Sequence, residues 1–266
     1  MKLFEIEQLG IHFGGVVALD RVDFHVEEGE ILGIIGPNGS GKTTVFNCIN
    51  RIYVPQRGTI KFKGQDILGM RASKIASLGI ARTFQNVELF PLMTALDNLL
   101  LARHIHLRAG ILSASAFLPW VKKEEIKARA RVEEIMEFLE LEPARKQLVG
   151  NLPFGIQKLV EIGRALAIDP VVILMDEPAA GMNVEEREDL ALYIREMHKL
   201  LGLTLVIIEH DLRLVMDICD RIIALNFGKK IAEGRPKEVQ QHPEVLKAYI
   251  GEKKEAAGFS EAVNGT

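Results

Sequence analysis

The run Gly36-Pro37-Asn38-Gly39-Ser40-Gly41-Lys42-Thr43-Thr44 carries the strongest chemical signal in the chain. It matches GxxxxGK[ST] in full between Gly36 and Thr43, a pattern that cradles phosphates. Its glycines allow positive φ angles, which turn backbone N–H groups toward a single concavity. Lys42 is placed to reach the β- and γ-phosphates, the Thr43 hydroxyl to ligate Mg²⁺, and Thr44 to bond the α-phosphate side. Four more residues could serve the same chemistry. Asp176 closes an apolar run and could hold Mg²⁺ through water, and Glu177 directly after it could polarise an attacking water. Gln85 offers a neutral oxygen to the Mg²⁺ shell or to that water, and His210 a hydrogen bond to the γ-phosphate. Taken singly, an acidic pair is also a helix cap and a strand-end histidine also a structural residue. Taken in order, they predict nucleoside-triphosphate hydrolysis.

Positioning these groups requires strands that end at them. Ile31, Leu32, Ile34 and Ile35 form an apolar run before the loop, and periodic Val45, Phe46 and Ile49 follow it. That is strand, loop and helix, with the positive helix end at the phosphates. Ile80–Phe84, Val171–Met175 and Leu203–Ile208 read as buried strands ending at Gln85, Asp176 and His210, where open α/β sheets bind ligands. Leu3–Phe13 and Val22–Val26 alternate apolar and polar residues, as strands of an antiparallel layer do. Gly58–Phe62 reads as a further strand, Ala72–Leu78 and Pro243–Ile250 as short helices, and Glu185–Leu201 as a long one. Arg221–Leu225 and Lys229–Ala232 read as a hairpin about Asn226-Phe227-Gly228. Between Val87 and about residue 165 the pattern is helical. Thr94 with Asp97 predicts a capping box, and Lys122–Glu140 an amphipathic helix with Ile126, Ala130, Ile135, Phe138 and Leu139 inward. On spacing alone Phe13 reads first as a core residue, with base stacking as the alternative.

Hydrophobic content of 48% and charged content of 26% over 266 residues describe a folded chain with a sizeable core. A net charge of −3 advertises no basic face, so no nucleic-acid partner is expected. Cys48 and Cys219 lack metal-type spacing and are expected as buried thiols. The N-terminal residues lack a signal-peptide core, and no apolar run reaches the roughly 20 residues of a membrane span. Any membrane role is expected to be peripheral.

The set resembles the ATPase subunit of ATP-binding-cassette (ABC) transporters, over residues 3–250. By that resemblance Gly36–Thr44 are Walker A, Gln85 the Q-loop, Val172–Glu177 Walker B and His210 the switch histidine. Leu152-Pro153-Phe154-Gly155-Ile156-Gln157 stands where the family's LSGGQ signature stands. The resemblance also makes Phe13 the adenine-stacking aromatic, with Val17 beside it. It implies an α/β P-loop NTPase core at 1–86 and 166–250, an antiparallel β layer, an inserted helical subdomain at 87–165 and a disordered tail at 251–266. Stretches 82–104, 175–183, 207–222 and 242–252 are similar to the ATPases of branched-chain amino-acid importers, the LivG type. Relatives for urea, amides, aromatic acids or lipopolysaccharide export share much of this.

The resemblance implies ATP and Mg²⁺ as cofactors and a second ATPase subunit that completes each ATP site. It further implies separate transmembrane permease subunits, an extracytoplasmic solute-binding protein and a peripheral place on the cytoplasmic face of the membrane. A non-transport cassette ATPase would carry two cassettes or a very long insertion. A GTPase would carry NKxD, and a small-molecule kinase would not need Glu177. Three departures from the family pattern stand out. Pro153 replaces the signature serine, Ile156 its glutamine, and Asn183 the aspartate after Walker B. Asn151 is the expected N-cap of the signature helix, and Gly155 is expected to leave room for a phosphate. The Trp120-bearing stretch 104–121 is expected near a permease or lipid surface, or else packed within the helical insertion.

Overall fold

A computed structural model describes residues 1–106 and 119–249, with the side chains of residues 119 and 120 left out. Apart from its helical and 3₁₀ ends, the stretch 104–121 therefore lies outside the described residues, as do the Trp120 side chain and the tail. No described helix is long and apolar enough to cross a membrane.

The strands fall into two sheets. β3 (Ile31–Ile35), β6 (Ile80–Thr83), β7 (Val172–Asp176), β8 (Thr204–Ile208), β9 (Arg221–Asn226) and β10 (Lys229–Gly234) form one, in the order β10-β9-β3-β8-β7-β6. All neighbours are parallel except the β9–β10 hairpin. Alternation along each strand separates two cores. Ile31, Ile35, Ile173, Met175, Leu205, Ile207, Ile222 and Ala224 point into one, with the long helices. Leu32, Ile34, Val172, Leu174, Val206, Ile208, Ile223 and Leu225 point into the other. A sheet covered on both faces needs such unbroken apolar strands.

The second core is closed by an antiparallel sheet of β1 (Lys2–Phe13), β2 (Val16–Glu27), β4 (Arg57–Phe62) and β5 (Gln65–Asp66), in the order β2-β1-β4-β5. β2 starts well before the expected Val22, because Phe13 and Val16 already pair across the turn at Gly14. Helix α1 (Lys42–Ile49) packs beneath it through Val45, Phe46 and Ile49. The hairpin turn at Phe227-Gly228 has φ of 45° and 74°, the paired positive angles that suit right-twisted strands.

Beyond the short α2 (Ala72–Ile75), helices α3 (Ala95–Ala102), α4 (Pro119–Phe138) and α5 (Phe154–Leu166) lie between β6 and β7 in sequence. Thr94 caps α3 by accepting from Asp97 N–H at 3.1 Å. The Asp97 carboxylate takes the Thr94 hydroxyl at 2.6 Å and not its backbone N–H, so the expected box is half formed. Ile126 is 60% exposed and Ala130 is also outside. Ile135 and Leu139 are buried and Phe138 partly so, as expected, and Ala128, Val132 and Met136 complete the buried stripe. Helix α6 (Val184–Leu201) begins at Asn183 with a full capping box to Glu186. The short α7 (Leu212–Ile218) and α8 (Pro236–Gln240) were not evident from periodicity, and residues 243–249 are helical as expected.

Candidate nucleotide site

Four neighbouring strands deliver the site. β3 leads into the phosphate loop, β6 into Gln85, β7 into Asp176 and Glu177, and β8 into Glu209 and His210. Because β6, β7, β8 and β3 are parallel, all these residues emerge at one sheet edge. The loop is tight. Gly36 has φ 152° and any Cβ there would run into the Leu225 carbonyl. Gly41 has φ 105°, and a Cβ would lie 2.7 Å from the Ala18 carbonyl oxygen. The loop is thus braced by β9 and by the start of β2. Gly228 N–H also donates to Ser40 O at 3.0 Å.

Lys42 is buried and donates to Gly36 O at 2.8 Å and Pro37 O at 3.0 Å. Thr43 Oγ1 lies 3.4 Å from Asp176 Oδ1, with Asp176 also buried. The Ser40 hydroxyl is buried beside Gly36 and has no hydrogen-bond partner among the described residues. Val17 is exposed next to Ala18. Phe13 is 46% exposed and meets Tyr53 edge to face at 5.0 Å, so it is not the core residue that spacing suggested.

Glu177 stands at φ 48°, a left-handed conformation uncommon for a residue with a side chain. Its N–H donates to Ile208 O at 2.8 Å, and its carbonyl accepts from Ala180 N–H at 3.1 Å. This turn carries the carboxylate to its neighbours. Gln85 Nε2 donates to Glu177 Oε2 at 2.8 Å, and His210 Nδ1 lies 3.6 Å from the same oxygen. Gln85 therefore meets Glu177, whereas Asp176 meets Thr43.

Several polar partners escaped sequence reasoning. Arg82, on β6, donates to Asp176 Oδ2 and to Asn47 Oδ1, and its guanidinium stacks between Phe46 and Phe84. Glu209 is fully buried and accepts from the N–H groups of Ala179, His210 and Asp211. Burial raises its pKa, and those three N–H bonds oppose the rise. It fastens the turn after Glu177 to the turn bearing His210. Asp169 is gripped by Arg103 and Arg131 across the helical block; burial raises its pKa, but the two guanidiniums hold it below its ordinary value. The only available signal for these was a charged residue inside an apolar run, as at Arg82.

The signature-like stretch opens α5. Leu152 is buried, and Pro153 is itself the N-cap position, without a side-chain cap. Asn151 instead ends the 3₁₀ turn Val149–Asn151, which corrects the expected cap. Gln157 Nε2 returns to Leu152 O at 2.8 Å, and Ile156 packs on the apolar core. Phe154 lies against Gly181 in the turn before α6. Gly155 is buried, and a Cβ there would come within 2.5 Å of Glu186 Oε1. Its close neighbour is thus the capping carboxylate of α6.

A phosphate loop between parallel strands, an acidic pair on the neighbouring strand end and a helical insertion define a P-loop nucleoside-triphosphatase cassette. The sequence matches the ABC transporter family over residues 19–180, and the chain belongs to that family. Residues 229–255 match a second family, described as branched-chain amino acid ATP-binding cassette transporter. The branched-chain amino acid transport ATP-binding protein BraF of Pseudomonas aeruginosa is 40% identical, over 94% of this chain and 98% of that protein. LivG of Escherichia coli is 38% identical over the same shares. In structure, the chain is similar to the ADP conformation of an ATP-binding cassette of an ABC transporter. That match has a TM-score of 0.82 and 36% identity, over 94% of this chain and 99% of the other. A further similar structure is a dimeric post-hydrolysis state with ADP and Pi, with a TM-score of 0.73 and 26% identity, over 88% and 98%. The chain is therefore an ABC ATPase, a nucleotide-binding subunit that energises transport.

Proposed function

We propose that this chain hydrolyses ATP at the Gly36–Thr44 site to drive import of branched-chain or other hydrophobic amino acids. It would work peripherally, on the cytoplasmic face of a membrane, bound to separate permease subunits and served by an extracytoplasmic solute-binding protein. A second ATPase subunit would complete each site. The observation that carries the substrate class is the match at residues 229–255, which begins at β10 and lies outside the hydrolytic strands.

Geometry supports the assignment of roles. The loop N–H groups, the Ser40 hydroxyl and Lys42 would hold the phosphates, with Thr44 on the α side and Phe13 and Val17 beside the base. Thr43 Oγ1 and Asp176 Oδ1 are hard oxygen donors 3.4 Å apart, a donor set that fits Mg²⁺, which prefers one or two protein oxygens plus phosphates and water. Bound there, Mg²⁺ would neutralise charge on the β- and γ-phosphates. Glu177 would orient a water and accept its proton as the oxygen attacks the γ-phosphorus and the bond to the β-phosphate oxygen breaks. ADP and phosphate leave. Gln85 holds Glu177 in place, and His210, 3.6 Å from the same carboxylate oxygen, would hydrogen-bond the γ-phosphate. The N-terminus of α5, from Leu152 to Gln157, would face the partner subunit's ATP through backbone N–H groups.

The test is reconstitution. The tagged chain would be purified from membranes with its co-purifying subunits and placed in liposomes with ATP on the cytoplasmic side. Leucine, isoleucine and valine should accumulate in an ATP-dependent way. Accumulation of urea, an amide or benzoate but none of these three would overturn the substrate class.

A further inference from the structure

Helix α5 does more than present the signature-like residues at its N-terminus. Lys158, Glu161 and Arg164 are spaced three apart on one side of it, and all three reach the chain segment that follows β6. Lys158, only 2% exposed, donates to Phe84 O at 3.0 Å and Gln85 O at 2.8 Å, and lies 3.4 Å from Glu161 Oε2. Glu161, equally buried, accepts the Phe84 N–H at 3.0 Å on its other oxygen. Arg164 donates to Glu88 O. Further along, Asn98 of α3 grips both the N–H and the carbonyl of Phe90, at 2.9 and 3.1 Å. From Phe84 to Phe90 the segment is therefore bonded to the helical block at several points.

The side chain of Gln85 nevertheless reaches back to the core, to Glu177. One residue thus has its backbone fixed by α5 and its amide fixed on the hydrolytic carboxylate. Burying an amine and a carboxylate is costly unless both are fully bonded. Apolar residues would serve packing alone at less cost. Here the pair saturates three backbone groups of two consecutive residues, where small displacements would change the contact with Glu177.

We propose that Lys158 and Glu161 are positioning residues for hydrolysis, which fix the backbone of Gln85 to α5 so that the attitude of α5 sets the contact between Gln85 and Glu177. This rests on the roles proposed above for Glu177 and Gln85. Whatever meets the N-terminus of α5, one turn from Lys158, is then transmitted to the water-orienting carboxylate of the same subunit. Both half-sites become mechanically linked through one helix.

The test uses steady-state ATP hydrolysis by the full-length chain, with KM and kcat measured separately and thermal melting run in parallel. Lys158→Met should lower kcat about tenfold while leaving KM for ATP within about twofold, because Walker A is untouched. Lys158→Arg, which keeps donors for both carbonyls, should recover most of that loss. In a Gln85→Ala background, Lys158→Met should cost less than about twofold more, because the two residues act in series. Should Lys158→Met fail to fold, near-isosteric Glu161→Gln serves instead, with kcat down several-fold (about three to ten) at unchanged KM. A parental kcat in Lys158→Met or in Glu161→Gln would overturn the proposal. So would losses that multiply fully with Gln85→Ala, since they mark a general loss of packing. Glu177→Gln is the control that separates the two readings. If it is inactive while the Lys158 variants are normal, only the coupling falls; if it is fully active, the site assignment falls first.

Discussion

Arg82 Nη2 meets Asp176 Oδ2 at 2.8 Å, and both side chains are more than nine-tenths buried. The guanidinium simultaneously bonds Asn47 on α1, so one residue from β6 ties the Asp176 carboxylate to the helix that follows the phosphate loop. It leaves Asp176 Oδ1 facing Thr43. Removing one partner of a buried pair strands the other charge, at a cost of about 3–5 kcal/mol. Arg82→Met should therefore lower unfolding free energy by roughly that amount in urea titrations. Arg82→Lys should not restore it, because an ammonium cannot reproduce the fork that serves two acceptors. A midpoint within error of the parent for Arg82→Met would show that the pair does not stabilise the fold.

Gly155 leads to a prediction that differs from the one its motif suggests. A methyl at this position would push on the Glu186 carboxylate, which accepts the Asn183 N–H at 2.9 Å in the α6 capping box. Gly155→Ala should thus loosen the turn of residues 178–183 and cost about 0.5–2 kcal/mol, the range for losing a cap. In a Glu186→Ala background, where the clash partner is gone, the same substitution should cost much less. Chemical denaturation of the double-mutant cycle checks this, and additive losses would contradict it. Pro153→Ser, at an exposed cap, should leave stability nearly unchanged.

The two cysteines give a pH-dependent readout of both cores. Burial pushes the Cys48 thiol up to about 12 and the Cys219 thiol higher still. At pH 8 the folded Cys48 thiolate is then on the order of one part in ten thousand. Ellman's reagent at pH 8 should titrate neither thiol in the native chain and both in guanidinium. Since the folded Cys48 thiol stays protonated, its contribution to stability is complete below 9.0, the ordinary value, and is lost as pH rises from there toward about 12, with that of Cys219 lasting to higher pH. Rapid native labelling of either thiol would contradict the burial.

What could be read from sequence divides along a physical line. The phosphate loop, Asp176-Glu177 and the apolar strands were legible because local backbone demands and period-two burial write themselves into neighbouring residues. Arg82, Lys158, Glu161 and Glu209 were not, because their partners lie far away in sequence and only the folded chain brings them together. Helix α4 was found, but its face was misjudged at Ile126 and Ala130; charged residues surround both, and the buried stripe runs through Val132 and Met136. The cap of α5 was misplaced because a prolyl residue at the N-cap satisfies φ without offering a side-chain acceptor. Helices as short as α7 and α8 leave too few turns for a period to register.

Glu177 is proposed as the water-orienting group of an ATP-hydrolysing site. Glu177→Gln keeps the shape that contacts Gln85 but removes the proton acceptor, so ATP should still bind while turnover falls by about 10²–10⁴. The direct measurement is phosphate release by this variant, paired with size-exclusion chromatography in ATP. Negligible release and an ATP-dependent dimer are the expected result. Release at the parental rate would contradict that role for Glu177.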